Sequence, residues 1–362
     1  MLRITEYIKE ILQNKEARKF DGRVLIWNLT NICNLNCKHC YSSANQITEN
    51  QLSYEEVIGF IPQLKENNIK IVILSGGEPL LRKDIFDIAK KIREEGIVTY
   101  LSTNGLLIDG NNIHQIKETF NYVGISIDGK KEIHDLFRGR KGAYEGSLKA
   151  VKLCLEQRIK VGLRFTLSPN TYDSLKHIFQ LAQEENIPKI YISHLVYSGR
   201  GQNLSELLKD FYKKAVDYIL EKSFFYVEND IKIDVVTGNN EADAVYLYLK
   251  FKEKYPEHSE KLYKRLKKWG GNRSGDKILN IDFQGNVKPD TFYHHSIGNI
   301  REKPLKQILE ESTLIRMLNH YPRILDGKCA NCKFIDICNG SSRPRAFFTY
   351  GSYKAEDPAC YI

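Results

Sequence analysis

No apolar run in this chain approaches the ~18 residues a membrane-crossing helix needs, and the start, Met1-Leu-Arg-Ile-Thr-Glu-Tyr-Ile-Lys-Glu-Ile-Leu, is broken by charges. No membrane partner is expected, and the reading points to the cytoplasm. A block of like charge is also missing. The 54 Lys and Arg against 45 Asp and Glu leave +9 spread along the chain, a mild preference for anionic partners rather than the clustered patch of a nucleic-acid binder. There is no low-complexity segment. With 42% hydrophobic and 27% charged residues, disorder, collagen and coiled coil are excluded. The 362 residues predict two domains, at ~150 residues each.

What is present in quantity is cysteine: Cys33, Cys37, Cys40, Cys154, Cys329, Cys332, Cys338 and Cys360. Seven fall in two clusters at opposite ends of the chain. In a reducing compartment that argues for metal ligation over disulfides. Cys154, in Val151-Lys-Leu-Cys-Leu on a predicted helix, reads as a core thiol.

Short apolar runs alternate with amphipathic segments. Strands are predicted over Val24–Leu29, Ile69–Leu74, Val98–Ser102, Tyr122–Ile127, Val161–Leu167 and Ile190–Val196. The helices that follow them are predicted over Tyr54–Glu66, Asp84–Glu95, Ile113–Phe120, Tyr144–Gln157, Ser174–Glu185 and Leu204–Glu221. Six such units imply an α/β fold with a parallel sheet and right-handed crossovers, either doubly wound or a partial barrel. Ahead of them, residues 1–20 form an N-terminal helix. The rhythm changes near residue 230, dividing a core at 21–230 from an extension at 231–362. In the extension a long charged helix is expected over Glu241–Lys268, then a hairpin of Ile278–Phe283 with Asn286–Pro289, and a short helix at Leu305–Glu311.

Cys33-x3-Cys37-x2-Cys40 directly follows the first strand. Three thiolates can hold three irons of a [4Fe-4S] cluster and leave the fourth open; a zinc site completed by His39 is the simpler alternative. Three later strand ends are polar and glycine-rich: Ser75-Gly76-Gly77-Glu78-Pro79, Ser102-Thr103-Asn104-Gly105 and Ser126-Ile127-Asp128-Gly129. Such ends in a parallel sheet face one site.

In the cysteine triplet, the Gly-Gly-Glu-Pro turn and their order, the sequence resembles the radical SAM superfamily. The resemblance implies a partial (β/α)6 TIM-type barrel whose Cys33, Cys37 and Cys40 bind a [4Fe-4S] cluster, with S-adenosylmethionine chelating the open iron. Gly76, Gly77 and Glu78 match the motif that meets the methionine amino group. Asn104, Ser126 and Asp128 lie where ribose contacts are usual, and Arg164 where the methionine carboxylate is met. Reductive cleavage would then yield a 5′-deoxyadenosyl radical, chemistry carried by the cofactor. An external electron donor such as flavodoxin or ferredoxin is implied.

Cys329-x2-Cys332-x5-Cys338, with Cys360 farther on, supplies four thiolates; alone this could equally be structural zinc. Joined to a radical SAM core it resembles a truncated SPASM or twitch-like extension with one auxiliary [4Fe-4S] cluster. The pattern departs from the full motif at Asp290, in Gly285-Asn-Val-Lys-Pro-Asp290, and at Ser342, both where a cysteine would stand. His194 and Tyr197 at the end of strand six, and His294 and His295 after Asp290, are candidate proton donors or axial iron ligands.

Val236-Thr-Gly-Asn-Asn-Glu-Ala-Asp-Ala-Val-Tyr246, Trp269-Gly-Gly-Asn, Pro289-Asp-Thr-Phe and Cys338-Asn-Gly-Ser-Ser-Arg together resemble the radical SAM proteins of heme d1 biosynthesis and the related 12,18-didecarboxysiroheme deacetylases. This implies an iron tetrapyrrole substrate, a siroheme derivative, attacked at its propionate side chains. Arg343 and Arg345 suit its carboxylates. The alternatives are the deacetylase and a peptide-modifying SPASM enzyme, for which no ~80-residue leader-binding region is found. A non-catalytic metal-binding regulator would not cleave S-adenosylmethionine.

Overall fold

The computed structural model describes residues 1–14, 20–46, 49–204 and 208–362. Its frame is one 11-stranded sheet in the order β1-β8-β7-β6-β5-β4-β3-β2-β9-β10-β11. The strands are β1 (Leu2–Arg3), β2 (Arg23–Asn28), β3 (Ile69–Ser75), β4 (Val98–Thr103), β5 (Tyr122–Ser126), β6 (Val161–Leu167), β7 (Lys189–His194), β8 (Asp234–Gly238), β9 (Ile278–Ile281), β10 (Asn286–Lys288) and β11 (Gly298–Asn299). From β2 to β8 each strand pairs parallel with the next. The six predicted βα units are present, with ends shifted by a residue or two in all but the sixth helix.

The physical cause is visible in β6. Val161, Leu163, Phe165 and Leu167 are buried beneath the helices, while Arg164 and Thr166 on the other face are only half-buried. Successive side chains of a strand point to opposite faces, so one run supplies both core and site. Trp27 of β2 meets Phe60 of helix Tyr54–Glu66 edge-on at 5.4 Å. That helix starts with a capping box between Ser53 and Glu56, worth about 1 kcal/mol. Cys154 is fully buried in helix Ala143–Glu156, as expected.

Several elements differ from expectation. The predicted helix Glu241–Lys268 is two helices, Ala242–Lys254 and Ser259–Trp269, separated by a 3-10 turn at Pro256–His258. Pro256 lacks the N–H and its ring clashes with the preceding turn, which ends the first helix. The N-terminal helix spans Ile4–Gln13, with residues 15–19 outside the described set. The sixth crossover helix is Lys209–Glu228; Leu204 is not helical, and residues 205–207 are also outside the described set. The sheet runs through residue 230 without a break. Strand β8 extends it parallel to β7, and β9, from the extension, pairs parallel with β2 at the opposite edge. Strand β8 escapes sequence reading because its run, Asp234–Gly238, is short and follows charged residues; helix Lys131–Arg138 is also too short to declare itself. Among the described residues no helix is long and apolar enough to cross a membrane.

Candidate functional site

The loop after β2 carries Cys33, Cys37 and Cys40, packed with Leu35, Ala143 and Leu106. Three segments clasp it. The turn after β3 does so with its backbone: Gly77 N–H donates to Thr30 O at 2.7 Å and Glu78 N–H to Ile32 O at 2.8 Å. A Cβ on Gly77 would lie 2.2 Å from Ile32 O, and one on Gly76, at φ +140°, 2.4 Å from Thr30 O. These glycines therefore let the turn lie against the cysteine loop. The second clasp is Phe137 O, which accepts Lys38 N–H at 2.9 Å. The third is Arg200, whose Nε donates to Cys37 O at 2.8 Å and Nη1 to Ala44 O at 2.9 Å.

The sulfurs are themselves hydrogen-bonded. Leu35 N–H donates to Cys33 Sγ at 3.4 Å, Ala44 N–H to Cys40 Sγ at 3.4 Å, and Arg138 Nη1 to Cys37 Sγ at 3.7 Å. Burial pushes the Cys33 thiol up to about 12 and moves Cys37 in the same direction. The Leu35 N–H and the Arg138 guanidinium oppose that rise, and donors aimed at sulfur suit a metal-bound thiolate. Among the described residues no three Cys, His, Asp or Glu side chains are placed to hold a single metal ion. Three thiolates can each reach a different iron of a four-iron cage and leave the fourth iron open. His39, the alternative fourth ligand, instead stacks on Phe137 with centroids 4.1 Å apart.

The predicted cofactor-binding residues divide in two. Glu78 is fully buried and committed: Oε1 accepts from Thr103 Oγ1 at 2.8 Å and Leu80 N–H at 3.2 Å, and Oε2 accepts from Asn104 N–H at 2.9 Å. Burial raises its carboxyl to about 7. Asp128 is also fully buried and bonded to Arg138 at 2.6 Å and Thr166 N–H at 2.8 Å, so its carboxylate is not open to a ribose. Asn104 donates to Asn34 Oδ1 at 2.7 Å, joining the end of β4 to the cysteine loop. Ser126 and Arg164 remain half-buried on the face away from the helices, as neighbours in the β5–β6 register. Arg164 lies over the Tyr191 ring at 5.1 Å.

The second cysteine group is assembled by the fold. Burial and then the neighbouring Cys360 push the Cys338 thiol up; burial pushes Cys329 up, with Arg343 opposing and Cys360 adding to it, and Cys360 is raised by burial, with Asp357 and Cys332 adding to it. The C-terminal tail thus returns to the Cys329–Cys338 segment. Arg345 and Arg343, expected to meet substrate carboxylates, are both fully buried and occupied. Arg345 holds Asp357 at 2.7 Å and the carbonyls of Leu195 and Asn239; Arg343 holds those of Tyr353, Ala355 and Gly340. Arg345 thus ties the extension to the barrel through Leu195, while Arg343 braces the extension itself. Asp290 accepts from Ser274 Oγ at 2.5 Å and Phe292 N–H at 2.8 Å, and burial raises it to about 6.

Of the candidate catalytic residues, His194 shares the helix-facing side of β7 with Ile190 and Ile192 and is fully buried. Its Nε2 is 2.8 Å from Asp243 Oδ2, so it does not face the barrel interior. Tyr197 and His294 do come together: a ring nitrogen of His294 bonds to the Tyr197 backbone, and Phe348 packs against both rings. His295, exposed, adjoins Phe347 at 5.2 Å. Phe292 reaches from the extension to Tyr41, beside Cys40, at 5.5 Å. Sequence reading missed Arg138, Arg200 and Thr103, of which only Thr103 stands in a quoted motif.

Residues 27–182 match the Radical SAM superfamily, and residues 273–333 match SPASM, an iron-sulfur cluster-binding domain. Fe-coproporphyrin III synthase of Methanosarcina barkeri is 40% identical over 94% of this chain and 88% of its own length. Pre-heme d1 synthase of Dinoroseobacter shibae is 38% identical over 100% of this chain and 92% of its own. Among solved structures, anSMEcpe with bound AdoMet superposes with TM-score 0.72 at 19% identity, over 94% of each chain. SuiB of Streptococcus suis gives 0.75 at 17%, over 94% of this chain and 76% of its own. The similarity to SuiB and anSMEcpe is one of fold. The matched segments and the full-length relatives together show that the chain belongs to the radical SAM superfamily and carries a SPASM extension.

Proposed function

We propose that the chain is a radical SAM enzyme of heme d1 biosynthesis, acting on propionate side chains of 12,18-didecarboxysiroheme. The observation that carries this reading is the 38% identity to the pre-heme d1 synthase across the whole chain. In this reading Cys33, Cys37 and Cys40 hold a [4Fe-4S] cluster with one open iron, and Cys329, Cys332, Cys338 and Cys360 hold an auxiliary one. Bound S-adenosylmethionine supplies, once reduced by an electron from a donor such as flavodoxin or ferredoxin, the oxidant that takes a hydrogen atom from substrate.

The chain's own residues bind and exclude. Arg164 offers its guanidinium to the methionine carboxylate, and Ser126 adjoins it. The Gly76–Gly77 backbone and the Glu78 carboxylate hold the cysteine loop and the β4 end in place. Phe292, Tyr197, His294 and Phe348 bring aromatic surface toward the cysteine loop, suited to a flat macrocycle and to keeping water away. His294 and Tyr197 are the candidate proton donors; His295 stands at the rim.

The deacetylase is the second reading, favoured by the 40% identity to the Fe-coproporphyrin III synthase. Reduced, reconstituted protein given S-adenosylmethionine and didecarboxysiroheme separates the two. A mass change at propionate supports the first, loss of acetate the second, and an unaltered tetrapyrrole refutes both.

A further inference from the structure

Helix Lys131–Arg138 ends on a side chain that the foregoing leaves without a role in the chemistry. The Arg138 side chain is 10% exposed and the Asp128 side chain fully buried. Arg138 Nη1 donates to Cys37 Sγ at 3.7 Å, and Nε donates to Asp128 Oδ2 at 2.6 Å; Nη2 contacts the same oxygen. Asp128 is held in turn by Thr166 N–H on Oδ1 at 2.8 Å, and its own N–H donates to His134 Nδ1 at 3.0 Å. His39 Nε2 approaches Asp128 Oδ2 at 4.0 Å. The guanidinium is therefore fixed between one sulfur of the cysteine triplet and one buried carboxylate.

We infer that the Arg138–Asp128 pair sets the reduction potential of the cluster to which Cys37 contributes, with Arg138 raising it and Asp128 opposing. The inference rests on the reading that Cys37 is a cluster ligand. Reduction adds one electron from an external low-potential one-electron donor, and no bond forms or breaks in that step. Added negative charge on the cage and its sulfurs is stabilised by a fixed cation and by an N–H aimed at sulfur. Burial keeps water from screening either charge. The Asp128 carboxylate lies one guanidinium farther from the sulfur, so it offsets part of the effect without cancelling it.

A purely structural pair would behave differently. Both side chains also anchor the end of helix Lys131–Arg138 beside the cysteine loop, and if that were all, removing either would lower cluster loading in the same way. A charge effect requires opposite signs. Arg138→Gln should lower the potential, Asp128→Asn should raise it, and Arg138→Lys should lie closest to wild type.

The test is a mediated redox titration of full-length, anaerobically reconstituted protein, followed by electron paramagnetic resonance. The signal to follow is the one that added S-adenosylmethionine perturbs; the unperturbed auxiliary signal is the internal reference. Opposite shifts in Arg138→Gln and Asp128→Asn, with the auxiliary potential unmoved, support the inference. Shifts of the same sign, or none, overturn it. If Arg138→Gln takes up no iron, Asp128→Asn decides alone, because it keeps the guanidinium on sulfur; a potential that fails to rise overturns the inference. Iron counting separates the two levels: if Cys37→Ala holds as much iron as wild type, the ligand reading fails and the inference with it.

Discussion

The carboxylate of Glu78 accepts the backbone N–H of Asn104 at 2.9 Å, joining the end of β3 to the end of β4 inside the protein. A residue whose motif suggests contact with a cofactor thus holds together the two strand ends that flank the site. Its ionisation makes this testable. Burial raises the folded-state value to about 7 from 4.5, so between those pH values the folded chain binds more protons than the unfolded one. Stability from this group falls as pH rises through that window and is constant above it.

Glu78→Gln removes the titration and sets an amide N–H against one of the donors. We expect it to cost about 1–3 kcal/mol at pH 5. The gap from wild type should narrow as pH rises to 7, read from thermal unfolding at a series of pH values. A gap that does not depend on pH refutes the assignment.

Gly77→Ala places a methyl 2.2 Å from Ile32 O, a backbone atom that cannot swing aside. The expected loss is about 1–3 kcal/mol in urea unfolding, with reduced iron uptake because the cysteine loop is displaced. Normal stability and loading would show that the loop can shift at no cost.

Replacing Cys33, Cys37 and Cys40 together by Ala should leave about four of about eight irons per chain, and Cys329→Ala should remove iron from the other site. Iron and sulfide assays after anaerobic reconstitution provide the check. Zinc in place of iron would refute both assignments.

Arg164→Ala should weaken S-adenosylmethionine binding about tenfold or more, as loss of a charged hydrogen bond does, with little change in thermal midpoint. Equilibrium dialysis gives the answer; unchanged affinity removes Arg164 from the binding site.

Asp290→Asn should leave iron content unchanged, because the carboxylate is held by Ser274 and Phe292 N–H. Loss of iron on this substitution would show that it reaches a metal.

The sequence alone was sufficient for the βα alternation and for the close spacings of Cys33, Cys37 and Cys40 and of Cys329, Cys332 and Cys338, since apolar periodicity and local spacing are properties of neighbouring residues. Strand alternation in β6 likewise accounts for Arg164 lying on the half-buried face opposite Leu163 and Phe165. It could not say which polar groups at the strand ends stay open. Glu78 and Asp128 read as ligand contacts until the tertiary structure supplies Thr103, Asn104 and Arg138, partners between 10 and 26 positions away. Arg343 and Arg345 read as carboxylate binders for the same reason: a buried guanidinium and an exposed one look alike until the carbonyls that satisfy it are in place. Only folding returns the tail to bring Cys360 to the other three thiols, and only folding sets Arg138 against Cys37, 101 positions apart. Desolvation and hydrogen-bond satisfaction are decided by what packs against a residue, and distant chain supplies that.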